Sequence, residues 1–244
     1  MAYFYGQTSR YLTNRSFQAK RKAFSWLFLA VIVLTASSWF LVSSYGNYKN
    51  GQTLSWFVPV AVLVAVGVVS LLIAGIKYFL FKAGLFAQGK DGEEIVYADL
   101  LSLPDNFSVF RGLHLPSQNS DIDFVVIGPS GVFTIEVKSH KGRIIVTDHN
   151  IFRNDRLFPQ AYILNQAANQ ARKMRQFLKI GKEVKSLLVF SSQQASVEIR
   201  GIIPGDVLVL HLDNLLNVIL NSNRVLSVEQ QKEILQKLIK LRRN

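Results

Sequence analysis

Two apolar runs near the start of the chain constrain its fold more than any other feature. Ala23 to Val42, AFSWLFLAVIVLTASSWFLV, and Leu54 to Ile76, LSWFVPVAVLVAVGVVSLLIAGI, contain no charged residue. At about 1.5 Å of rise per helical residue, each is long enough to cross a hydrocarbon core of about 30 Å. Apolar residues cover every face of the second run, which a helix resting on a soluble core does not need. A cleaved leader is the rival reading for the first run, but its uncharged core is too long and 22 residues precede it. Trp26, Trp39, Trp56, Tyr45 and Tyr78 lie near the ends of the runs, where aromatic side chains anchor a span at the interface. Residues 1–82 therefore read as a membrane anchor of two transmembrane helices, about 23–42 and 54–76.

Charge sets the expected orientation. Lys20, Arg21 and Lys22 precede the first run, Lys77 and Lys82 follow the second, and the connector between them carries only Lys49. The positive-inside bias places both termini in the cytoplasm, so the chain is expected in the inner (cytoplasmic) membrane as a multi-pass protein. Residues 1–82 hold eight Lys/Arg and no acid, and all 16 acidic residues come later. The net charge of +12 therefore belongs mostly to the anchor and is no strong sign of nucleic acid for the rest. The chain has no cysteine, which excludes a disulfide framework, a thiolate nucleophile and a Cys-based zinc site. Gly-x-Ser-x-Gly, a phosphate-binding loop and His-Glu-x-x-His are also absent. The four histidines, His114, His140, His149 and His211, are scattered, and His211 in an apolar strand reads as a satisfied core residue.

Residues 83–244 have the pattern of an α/β domain. Apolar spacing predicts a helix from about Gly92 to Leu101, stopped before Pro104. Short strands are expected at 107–110, 123–127, 132–138, 143–147 and 151–152, then a long helix from Gln160 to Lys179. Two buried strands, VKSLLVFSS and DVLVLHL, come next, and two helices end the chain, the second opened by a capping box at Ser227 and Gln230.

The stretch Ser120 to Lys138, SDIDFVVIGPSGVFTIEVK, carries Asp121, Asp123, Glu136 and Lys138 inside an otherwise apolar strand pair. With Gly128-Pro129-Ser130-Gly131 as the turn, Asp123 opposes Glu136 and Asp121 opposes Lys138. Alternation puts all four on one face, and Ile122, Phe124, Val126, Phe133, Ile135 and Val137 on the other, which reads as the core face. Opposed carboxylates repel, so something must compensate their charge. One reading is a surface ion-pair cluster around Lys138. The other is a hard divalent cation, which takes carboxylate oxygens together with substrate phosphate oxygens.

These motifs resemble the nuclease-related domain (NERD) family and, through Asp123 and Glu136-Val137-Lys138, the wider PD-(D/E)xK nuclease superfamily. Gly89, Gly92 and Glu93 match the glycine-rich turn and Gly-Glu that open the family pattern, and Ile122-Asp123, Pro129, Gly131, Ile135-Glu136-Val137-Lys138 and Gly142 match its later positions. Phe124 stands where the family has histidine, so that role is lost or passes to His140 or His114. The resemblance implies a restriction-endonuclease-like mixed sheet flanked by helices, here behind a transmembrane α-helical hairpin. It implies Mg²⁺ or Mn²⁺ held by Asp123, Glu136 and the carbonyl of Val137, with Lys138 as catalytic lysine and Glu93, rather than its neighbour Glu94, as the helix acid. It also implies a supporting glutamine, Gln166. Asp121 falls outside the pattern, placed to tune Lys138 or to cap its strand. Arg172, Lys173 and Arg175 on the same helix are phosphate-contact candidates, with a solvated helix face as the plain alternative. The expected activity is hydrolysis of nucleic-acid phosphodiesters, with DNA and the lipid bilayer as partners; the alternative is an inactive nuclease-derived binding or interaction module on the same tether.

Overall fold

The computed structural model describes residues 2–6, 10–50, 57–116, 120–148, 150–158, 162–180, 184–200 and 206–243. The expected anchor at Trp56, the start of the second apolar run, the helix start at Gln160 and His149 lie outside them. The chain forms two compact units, Tyr11–Ala87, and Met1–Arg10 together with Gln88–Asn244.

Tyr11–Ala87 is a pair of long helices, belonging to α1 (Arg10–Lys49) and α2 (Phe57–Leu100). Both are long and apolar enough to cross a membrane, and most of their apolar side chains are exposed. Inside this unit Gly75 lets α2 approach the Trp26 ring of α1, since a Cβ there would lie 2.5 Å from the indole. The separate helix expected from Gly92 does not exist; its residues are the end of α2. The stretch between the apolar run and Glu93 is rich in helix formers, and the isolated Gly84 and Gly89 each cost a helix only about 1 kcal/mol. Gly89 and Gly92 are thus helical rather than turn residues.

The other unit holds two sheets. The larger has the order β1-β2-β3-β4-β8-β10, built from β1 (Tyr3–Tyr5), β2 (Ser108–Leu113), β3 (Ile122–Gly128), β4 (Gly131–Lys138), β8 (Val184–Phe190) and β10 (Val207–His211). The smaller has the order β7-β6-β5-β9, from β5 (Gly142–Thr147), β6 (Ile151–Arg153), β7 (Arg156–Leu157) and β9 (Ala195–Arg200). The central β2-β3-β4 meander is antiparallel, whereas β4-β8-β10 run parallel, with α3 (Ile163–Leu178) as the crossover before β8. This is the mixed α/β architecture expected, in two sheets rather than one.

Both faces of the larger sheet are covered. Val96 and Leu100 of α2 and Leu215 and Ile219 of α4 (Leu215–Asn221) pack on Phe124, Val126, Phe133, Ile135 and Val137. Ala171, Met174 and Leu178 of α3 and Ile234 and Leu238 of α5 (Val228–Arg243) cover Ile122, Val125, Ile127 and Val132. The single core face expected for the β3-β4 hairpin is therefore corrected. The charged residues stand at the end of a face that α3 also buries, because a parallel crossover helix must lie against the sheet it bridges. Ser227 and Gln230 form the expected capping box of α5, each backbone N–H donating to the other's side-chain oxygen.

One strand was not foreseen. Tyr3–Tyr5, counted with the anchor in a boundary at residue 82, pairs in parallel with Ser108–Phe110 as the sheet's edge. Phe4 meets the Tyr97 ring edge-on and Tyr5 stacks on Phe110. The two helices are in this sense an insertion between the first strand and the rest of its own domain.

Candidate active site

The hairpin register is the one the turn and alternation predict, with Phe124 opposite Ile135 and Gly128 opposite Gly131. Asp123 and Glu136 thus lie just beyond the last paired positions. β4 runs parallel to β8, and Lys138 opposes Phe190 at the carboxyl ends of these two strands, where open α/β sheets collect functional groups.

Glu136 is the hub. Its side chain is buried, its Oε1 accepts from Lys138 Nζ at 2.6 Å and from Gln166 Nε2 at 2.8 Å, and its Oε2 accepts from Gln170 Nε2 at 2.7 Å. Gln166 and Gln170 are four residues apart on α3 and so share a helix face. Gln166 was expected; Gln170 was missed, although its i,i+4 spacing from Gln166 is a visible signal. Three donors use three of the roughly four lone-pair directions of a carboxylate, which leaves room for one further ligand.

Asp123 keeps partial exposure as a residue, but its carboxyl sits deep among protein atoms. Its Oδ2 accepts the backbone N–H of Val137 at 2.7 Å. Burial, then the negative charges of Glu136 and Glu93, push this carboxyl well above the ordinary aspartate range. Burial works against the charge on Lys138, yet the adjacent Glu136 carboxylate outweighs it and holds the ammonium above its usual range.

Glu93 reaches this cluster from α2 because that helix packs closely on the strand ends. A Cβ on Gly92 would lie 2.6 Å from Ser191 Oγ and 2.7 Å from Ser139 Cβ, so only glycine allows the approach. Glu93 is buried and contacts Arg111 Nη2 at 3.4 Å, while the more exposed Glu94 grips the same guanidinium with both oxygens, at 3.0 and 3.1 Å. Of the two neighbours, Glu93 is the buried one, and its negative charge is among those that raise Asp123. Arg111 was not anticipated. The strand expected to stop at Phe110 runs on to Leu113, and the single arginine in it was the signal.

Asp121 does not meet Lys138. It lies before β3 begins and pairs with His114 Nδ1 at 2.9 Å, both side chains being exposed, while Lys138 turns to Glu136 on its own strand. Phe124 points to the α2 side, 5.6 Å beneath the Arg111 guanidinium, so no group at that position shares the face of Asp123. His140 packs edge-on against Phe158. His211 binds the Ser192 carbonyl and Asp213, the satisfied role expected of it. Of the basic residues on α3, Arg175 donates Nε and Nη2 to the Val184 carbonyl and ties α3 to β8. Arg172 is exposed and touches Asn169, and Lys173 is half-buried.

The donor set of Asp123, Glu136 and Glu93 is one of hard oxygens, which suits Mg²⁺ or Mn²⁺ and not softer metals. Among the described residues no three His, Asp or Glu side chains stand close enough, as oriented, to close around an ion. Asp123 and Glu136, with backbone oxygen and water to complete the shell, are the protein ligands such an ion would use.

Comparison with curated proteins and with solved structures gave no match. Comparison with family models gave one that starts at Gln88, where the α/β unit resumes after the helical pair, and ends at Ser191, just past β8. That family is NERD, the nuclease-related domain, and its model matches residues 88–191, which contain Glu93, Asp123, Glu136, Lys138, Gln166 and Gln170.

Proposed function

We propose that this domain is a metal-dependent phosphodiesterase that cuts nucleic acid, with DNA as the favoured substrate, and that the two apolar helices tether it to a membrane. The observation that carries the proposal is the convergence of Asp123, Glu136 and Lys138 at the strand ends, with Lys138 held 2.6 Å from Glu136. Asp123, Glu136 and the Val137 carbonyl would hold Mg²⁺ or Mn²⁺, which supplies an activated water and polarises the phosphoryl oxygen. Lys138 carries a positive charge at the same place, where it stabilises negative charge growing on the attacked phosphate. Gln166 and Gln170 fix the Glu136 carboxylate, so that its orientation is set before substrate arrives. Glu93 adds a third acid, and Arg172 and Lys173 offer positive charge to the phosphate backbone.

A second reading has a specific observation behind it. Glu136 is already met by three donors, and no three acids among the described residues close on an ion, as in a fold kept for binding alone. The full chain in detergent, incubated with single- and double-stranded DNA and RNA plus Mg²⁺ or Mn²⁺, separates the two. Cleavage lost in Glu136→Ala and Lys138→Ala supports the enzyme, and cleavage that survives both is contamination. Binding without cleavage favours the module.

For the tether, the strand before the first helix and the domain after the second fold into one unit, which supports an even number of crossings with both ends on one side. Lys20–Lys22, Lys77 and Lys82 support the cytoplasmic side. A cysteine at Asn50 is then labelled by an impermeant reagent in intact cells; labelling only after lysis reverses the orientation.

A further inference from the structure

We propose that Arg111 is the positioning residue of this site and that Glu94 exists to hold it. The inference deepens the metal-dependent reading of the same site. Arg111 is buried in the middle of β2 and faces α2. Its Nη1 and Nη2 bond the two oxygens of Glu94 at 3.1 and 3.0 Å, a bidentate fork that fixes the plane of the guanidinium. The rings of Tyr97 and Phe124 lie 5.4 and 5.6 Å from its central carbon. Phe124 is its direct cross-strand partner, and Tyr97 follows Glu93 and Glu94 by about one helical turn. The backbone of β2 behind it is braced by the N-terminal segment, where a Cβ on Gly6 would lie 2.7 Å from the Arg111 carbonyl oxygen.

Against this fixed frame Arg111 makes one longer contact, 3.4 Å from Nη2 to Glu93 Oε2. The division of labour follows from the distances. Glu94 takes the strong fork and orients the arginine; Glu93 is steered by a looser contact that leaves its other oxygen for the site. A lysine could supply the charge but not the fork, which is why an arginine stands here. The function is indirect, since Arg111 touches Glu93 and, among the contacts described, neither Asp123 nor Glu136.

The test is Mn²⁺ binding by calorimetry on the full chain in detergent, for wild type, Arg111→Lys and Glu94→Gln, with cleavage rates at saturating Mn²⁺ and thermal unfolding in parallel. Arg111→Lys is expected to weaken Mn²⁺ binding about 10- to 100-fold, because Glu93, the third acid beside the Asp123 and Glu136 ligands, loses the partner that orients it, the usual cost of a lost supporting contact around a metal site. Glu94→Gln, at a half-exposed position that leaves the fold intact, is expected to weaken it in the same direction. In both, cleavage returns toward the wild-type rate once Mn²⁺ saturates, because the ligands themselves remain. A lowered unfolding temperature with unchanged Mn²⁺ affinity in both variants overturns the proposal and leaves Arg111 a structural tie. Wild type that binds no Mn²⁺ overturns the metal-dependent reading itself, and this inference with it, so the two failures differ in which protein shows them.

Discussion

Gly92→Ala puts a single methyl group where α2 crosses the ends of β4 and β8. Its Cβ would stand 2.6 Å from Ser191 Oγ and 2.7 Å from Ser139 Cβ, against ordinary contacts of about 3.5–4.0 Å, so the helix turn must retreat by roughly 1 Å. Two terms oppose each other. Alanine is favoured over glycine inside a helix by about 1 kcal/mol, and overpacking costs about 1–3 kcal/mol. The net is a loss of up to about 2 kcal/mol, or up to roughly 8 °C in unfolding temperature for a domain of this size. The effect on the site is larger. Glu93 is the next residue, and a displacement of about 1 Å at a positioned group can cost around a hundredfold in rate. The assay compares thermal unfolding of the full chain in detergent with its Mn²⁺ binding and cleavage. Expected is a modest fall in stability with a severe fall in site function, partly restored by Ser139→Gly in the same chain, which removes the Cβ on the other side. A Gly92→Ala protein that is more stable than wild type and equally active would refute the argument, since helix propensity would then have acted unopposed.

Three further outcomes follow from the site. Asp123 holds its proton to higher pH in the folded chain than its unfolded value of 3.8, so without metal its contribution to stability falls as pH rises from 3.8 through its raised value. Asp123→Asn removes this slope in a pH series of unfolding temperatures, and Mg²⁺ flattens it in wild type; a wild-type slope unchanged by either contradicts the charge crowding. Lys138→Met is expected to lower cleavage by about 10²–10³-fold while nucleic-acid binding persists, and equal loss of both in a filter-binding assay would make the lysine a binding group. Arg172→Ala should reduce the salt dependence of DNA binding by a slope of about one, whereas Arg175→Leu should lower stability without changing that slope, because its guanidinium is spent on the Val184 carbonyl.

Much of the candidate site was legible because its signals are local. A Pro-Gly turn of fixed length sets the β3-β4 register, and a period of two then places Asp123 beside Glu136 without any knowledge of the rest of the fold. The neighbours of that pair were legible only in part. Gln166 came from a resemblance, and Gln170 becomes visible only when α3 is laid against β4. Asp121 was assigned to Lys138 by extending the ladder past the point where β3 begins; the short reach from Lys138 to Glu136 on its own strand and the nearby His114 decided otherwise.

By itself the sequence determined the two long apolar helices, the charge asymmetry around them, the α/β character of the remainder and the hairpin that carries Asp123, Glu136 and Lys138. Each of these follows from runs, periods or turns spanning about 20 residues. The tertiary structure alone decided that Tyr3–Tyr5 closes the edge of a sheet whose next strand begins at Ser108, that α2 runs unbroken to Leu100, and that Arg111 joins Glu93 and Glu94. Those contacts depend on which surfaces remain to be covered once the sheet has formed, and no local pattern encodes that.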